Sequence, residues 1–206
     1  MMIKDFGERI ASVWEGLRPV TRDMLVRALK SGSSGSQGLK SAKFLYDAHA
    51  DWELSRLLSA IDEQSKSAEI RKDSEKLDEL KQLADTCARV LETQTGSAEV
   101  FIQLAQRALR DHNYKKLDEL ADRLAAKFSA GEIAEIVRQT DSPQIRAIAY
   151  ETLATLPVSA VAPLLGDSLY ADIAAVALEQ KAFEYESEEA REVLERYDAS
   201  NFQRSE

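Results

Sequence analysis

Cysteine is nearly missing from this chain: Cys87 is the only one in 206 residues. An internal disulfide is therefore impossible, and so is a zinc site built on cysteine pairs. Proline occurs four times and glycine eight times, too few for the dense turns of a β-sandwich or barrel. No apolar run reaches the ~18 residues that a membrane-crossing helix needs. With two histidines, His49 and His112, acid–base or triad chemistry has little to work with. An excess of positive charge is also lacking: 27 Lys+Arg face 36 Asp+Glu, a net charge of −9. Gripping a phosphate backbone needs clustered cations, so nucleic acid is not an expected partner. Adhesion to anionic lipid fails on the same ground.

What is present is a globular balance of 44% hydrophobic and 31% charged residues. At roughly 150 residues per domain, the length suits one domain or two small ones. Such a chain buries a sizeable core unaided by metals or disulfides. Residues 1–9 alternate charged and apolar side chains. They lack the apolar run of a secretory signal, and a cytoplasmic location is expected. The negative charge is unevenly placed. Residues 1–100 hold 15 Lys+Arg and 17 Asp+Glu, residues 101–166 hold 8 of each, and residues 167–206 hold 4 against 11.

Apolar spacing predicts helices almost throughout. Ile3, Phe6, Ile10, Val13 and Leu17 form one stripe of a helix over 3–17, ended by Pro19. Thr21 is the expected N-cap of a second helix reaching Lys30. Residues 31–38 hold three Gly, four Ser and one Gln, a flexible-linker composition. This run divides an N-terminal segment, 1–30, from a helical domain, 39–197, and a polar tail, 198–206. Within the domain, 39–61 reads as helical through Ala42, Leu45, Leu54, Leu57 and Ile61, with a phase slip and a cap at Asp51. Ile70, Leu77, Ala84 and Leu91 are seven apart, with Leu80 and Cys87 between them. They predict one long helix over 69–93 that packs within the molecule, with Cys87 on its buried side. Further helices are expected at 98–111 and 114–128, and after the capping box Ser129-Ala130-Gly131-Glu132. Pro143, at a first helical position, opens 143–156. Shorter elements follow at 160–165, 168–182 and 188–197. The fold class is all-α, about ten helices with no strand.

A repeat is visible in the second half. Gly131-Glu-Ile-Ala-Glu-Ile-Val137 aligns with Ser159-Ala-Val-Ala-Pro-Leu-Leu165 and Ser187-Glu-Glu-Ala-Arg-Glu-Val193, at offsets of 28. Ala134, Ala162 and Ala190 then coincide. The unit is a short helix, a turn and a longer helix, with Asp141 and Asp167 placed to cap the longer ones. Such pairs bury their apolar faces by stacking on one another. The stretch Asp141-Ser-Pro-Gln-Ile-Arg-Ala-Ile-Ala-Tyr-Glu-Thr-Leu153 resembles a HEAT-like repeat, and Arg146 matches that family's second-helix Arg. Leu104-Ala-Gln-Arg-Ala-Leu-Arg-Asp-His-Asn-Tyr-Lys-Lys-Leu-Asp-Glu-Leu120 resembles a tetratricopeptide-type pair. The HEAT-like resemblance covers about 131–197 and the tetratricopeptide-like one about 98–128. Together they imply an α-α superhelix, a helical-repeat solenoid that binds macromolecules. They imply no catalytic residues, metal or cofactor.

His49 and Glu53, four apart on a helix, share a face, but no third metal ligand is placed by motif. His112 lies in a turn. The acidic run Glu179, Glu184, Glu186, Glu188, Glu189, Glu192 and Glu195 is the main surface feature. It reads as a dock for a basic protein or peptide, with Tyr185 and Tyr197 as anchors. The residues expected to meet a partner are Arg146, Tyr150, Tyr185, Glu188, Glu189 and Glu192. The leading expectation is a non-enzymatic binding scaffold. A HEAT-like enzyme of the DNA-glycosylase or bilin-lyase type is one alternative, and a structural subunit of a larger assembly is another.

Overall fold

Among the described residues, 6–31 and 46–204, the computed structural model is 84% helical, with twelve α-helices and no strand. Ile3, Leu39, Ala42, Leu45 and the Gly/Ser run from residue 32 fall outside the described residues. No single described helix is long and apolar enough to cross a membrane. The chain forms two compact units, Met1–Thr95 and Gly96–Glu206.

The first unit contains α1 (Glu8–Gly16), α2 (Pro19–Ser31), α3 (Ala48–Gln64), α4 (Ala68–Lys72) and α5 (Ser74–Gln94). α3 packs against α1 and α5, and α2 packs against α5. The core comes from Ile10 of α1, Leu25 of α2, Leu54, Leu57, Leu58 and Ile61 of α3, and Leu80, Leu83 and Leu91 of α5. All are at most 1% exposed, and each contributes roughly 1.5–3 kcal/mol by burial. Three local signals act differently from their sequence reading. Pro19 begins α2 as well as ending the preceding stretch, because the first helical position needs no N–H. Thr21 therefore lies inside α2, where it is buried. Asp47, not Asp51, caps α3: its Oδ1 accepts the Ala50 N–H at 2.8 Å. The expected 69–93 helix breaks at Asp73, whose Oδ1 accepts the Lys76 N–H at 3.1 Å and caps α5. An Asp side chain competes with the helical ladder for backbone donors. The seven-residue apolar spacing continues across this cap, which is why periodicity alone reads one helix.

The second unit contains α6 (Ala98–Arg110), α7 (Tyr114–Lys127), α8 (Ala130–Gln139), α9 (Pro143–Thr155), α10 (Val158–Val161), a 3-10 helix at Ala162–Gly166, α11 (Ala171–Glu184) and α12 (Glu188–Arg204). α6 packs on α8 and α8 on α10, while α7 packs on α9 and α9 on α11. α7 packs on α6, α9 on α8, and α12 on α11. The helices thus form two rows of successive pairs. Leu124 of α7, Ile133 of α8, Ile145 and Leu153 of α9 and Leu178 of α11 are all fully buried in the core.

The joints follow from capping chemistry. Ser129 accepts the Glu132 N–H at 3.2 Å, as a capping box requires. The Glu132 carboxylate does not turn back; it accepts the Ala98 N–H at 3.0 Å and caps α6 instead. Ser142, not Asp141, caps α9 through the Ile145 N–H. Pro163 cannot donate to an α-helical ladder, so the 160–165 element becomes α10 and then the 3-10 helix. Asp167 accepts the Leu169 N–H at 2.9 Å and organises a turn, so α11 starts at Ala171. Ala134 and Ala190 of the repeat are fully buried. Ala162 is half-buried, and its neighbour Val161 is the fully buried residue there.

Candidate functional site

The groups with chemical potential in the first unit are engaged in holding it together. The Glu53 side chain is 2% exposed. It accepts the Arg18 backbone N–H at 2.7 Å, the Arg18 Nε–H at 3.1 Å and the Thr21 hydroxyl at 2.5 Å. Burial pushes this carboxyl up, but the three donors outweigh it and hold it below the ordinary glutamate value. The outer guanidinium nitrogens of Arg18 donate to Asp47 at 2.9 and 2.6 Å. That pairing raises the guanidinium and holds the Asp47 carboxyl well below the usual range. His49 Nε2 stands 3.8 Å from Glu53 Oε1, and its ring meets Trp52 edge-on at 5.5 Å. No group of three His, Cys, Asp or Glu able to hold a metal occurs among the described residues. Cys87 is fully buried, with its Sγ donating to the Leu54 carbonyl at 3.3 Å. His112, in the second unit, occupies a left-handed position (φ 52°) after α6. There the N–H groups of His112 and Asn113 close onto the Leu109 and Ala108 carbonyls, a Schellman cap.

The residues singled out for partner binding lie on α9, at the end of α11 and on the first turns of α12. Arg146 is exposed on the first turn of α9, but its Nη2 donates to the Thr140 carbonyl at 2.6 Å and pins the α8–α9 turn. Tyr150 is half-buried. Tyr185 is 45% exposed. Its hydroxyl donates to Glu151 of α9, which pushes the phenol up. Lys181 Nζ stands 5.7 Å from the ring centroid and donates to the Ala154 carbonyl. Tyr185 thus ties the end of α11 to α9. Glu188, Glu189 and Glu192 are exposed on the first turns of α12. Glu188 pairs with Arg191, which also donates to the Ala182 carbonyl at 3.2 Å. Glu135 of α8 accepts from Arg138, Gln139 and Tyr170. The arginine foremost, then the other donors, bring its carboxyl down to about 2.

No family model, curated protein or solved structure significantly matches the chain.

Of the outer stripe of α11, only Glu179 stands out in the sequence, as part of the acidic run. Ala174, Ala177, Leu178 and Ala182 face the interior and are buried. Val176 is 45% exposed and Phe183 84% exposed. Asp172 and Glu179 are exposed as well. The four fall at i, i+4, i+7 and i+11, which is one helical stripe. The available signal was composition. The run Ile173-Ala-Ala-Val-Ala-Leu178 is apolar on more than one face, and a surface helix needs only one.

Proposed function

We propose that the chain is a non-enzymatic protein-binding scaffold. Its second unit is built of HEAT-like helix pairs over about 131–197 behind a tetratricopeptide-like pair at about 98–128. Support for the repeat reading comes from the two rows of successive helix pairs. Such stacking exposes a broad surface rather than a pocket. The partner is a protein or peptide of basic character. The observation that carries this is the exposed carboxylate surface of α11 and α12, where Glu188, Glu189 and Glu192 stand in solvent within a stretch holding 4 Lys+Arg and 11 Asp+Glu. Complementary charge steers encounter and selects the partner more than it raises affinity.

The test compares the full chain with its Glu188→Lys, Glu189→Lys, Glu192→Lys triple variant in affinity capture with mass-spectrometric identification. All three side chains are exposed, and circular dichroism of the variant checks that α12 survives loss of the Glu188–Arg191 pair. Loss of basic partners from the variant is the expected result. Equal recovery by both proteins refutes the acidic dock.

A further inference from the structure

We infer that the outer stripe of α11 is the seat of a cationic amphipathic helix, laid along Asp172, Val176, Glu179 and Phe183. This rests on the reading of α11–α12 as a docking surface and names what docks there. Phe183, at 84%, is the most exposed of the large apolar side chains described. Val176, seven residues earlier, is also open to solvent. Seven residues of helix advance about 10.5 Å, so the two apolar groups sit two turns apart on one line. They match the spacing of apolar anchors on a helix lying in a groove. Carboxylates alternate with them: Asp172 precedes Val176, and Glu179 lies between Val176 and Phe183. The complement is a helix whose apolar residues recur every third or fourth position, with lysine or arginine between them.

The stripe's own charge argues against a second copy of the chain. Two such stripes facing one another set carboxylates against carboxylates or against apolar groups, and the four positions include no cation. The nearby Lys181 is turned to the Ala154 carbonyl and the Tyr185 ring. The partner helix brings the missing cations, and its leucine-like residues cover Val176 and Phe183. At 14 residues, α11 is about 21 Å long, enough to seat a helix of several turns.

The experiment is fluorescence anisotropy on the full chain with a labelled designed peptide of about five helical turns. Leucines form one stripe of the peptide and lysines fill the remaining positions. One control shuffles the same residues so that no stripe forms, and another replaces lysine with glutamate. The expected result is binding of the ordered cationic peptide that weakens as salt rises, with both controls weak. Phe183→Ser loses about tenfold in affinity, the usual scale for removing an aromatic anchor. Val176→Ser loses less. Phe183→Ser keeps its circular dichroism and melting temperature, because the side chain removed is 84% exposed.

Unchanged affinity in Phe183→Ser overturns the inference. So does equal binding of the shuffled peptide; if that binding vanishes in the Glu188/Glu189/Glu192 charge reversal, the acidic dock stands and the stripe does not. Failure of both cationic peptides to bind also overturns it, and affinity capture then judges the dock separately. A dimer in analytical ultracentrifugation that Phe183→Ser dissociates assigns the stripe to a second copy and overturns it as well.

Discussion

Thr21→Val isolates one donor of the network around Glu53. The side chain changes little in volume and keeps its β-branch, so α2 is left undisturbed. The site is 1% exposed, and what disappears is the hydroxyl 2.5 Å from Glu53 Oε2. A hydrogen bond to a charged group contributes about 1.5–3 kcal/mol. Glu53 keeps the Arg18 backbone and Nε donors. The loss therefore stays near the lower part of that range, about 1.5–2 kcal/mol, well short of stranding a buried charge. Trp14 and Trp52 are the only tryptophans and both lie in Met1–Thr95, so urea unfolding followed by tryptophan fluorescence reads this unit. The pH dependence has a definite sign. Glu53 is held below its ordinary pKa in the folded state. Its contribution is full above the unfolded value and fades as pH falls through the folded one. The deficit of the variant is thus greatest at neutral pH and shrinks in acid. An unchanged midpoint at neutral pH, or a deficit of constant size down to acid pH, refutes the role given to Thr21.

Two more outcomes follow from local geometry. His112→Gly relieves a left-handed residue of its Cβ strain and gives back part of the gain as unfolded-chain entropy. The net is a stabilisation of about 0.5 kcal/mol, a rise of about two degrees in the Tm of Gly96–Glu206 by calorimetry, and a lower Tm contradicts the cap assignment. Cys87 is fully buried with its thiol on the Leu54 carbonyl. A thiol-reactive chromogenic reagent therefore modifies it only after denaturant is added, and rapid reaction of the native protein contradicts that placement.

Helices with one apolar stripe were readable from the chain alone. The spacing of Tyr114, Leu117, Ala121, Leu124 and Phe128 predicts 114–128, and α7 spans Tyr114–Lys127 with Leu117, Leu124 and Phe128 buried, Ala121 half-buried and Tyr114 exposed. Asp141-Ser142-Pro143 announces α9, which starts at Pro143, although Ser142 and not the expected Asp141 caps it. Periodicity failed where a single polar side chain decides the backbone. Asp73 interrupts an unbroken apolar pattern because it caps α5. Thr21 has the composition of a cap but serves a carboxylate 32 residues away. The candidate surface was half legible. The acids of α12 are visible as composition, but Phe183 lies one residue beyond the helix expected at 168–182, and only the structure carries α11 through it. Only the packing of α11 against α9 and α12 reveals which side is left open. The reach of Arg146 to the Thr140 carbonyl likewise has no sequence signature.

The bond from Glu132 to the first amide of α6 has a consequence for synthesis on the ribosome. Ser97 makes no side-chain capping bond, and the carboxylate that does the task is translated 34 residues after Ala98. While the nascent chain ends before α8, water must satisfy that amide and the beginning of α6 can fray. Completion of α8 closes it, so a later helix becomes the lock on the start of an earlier one.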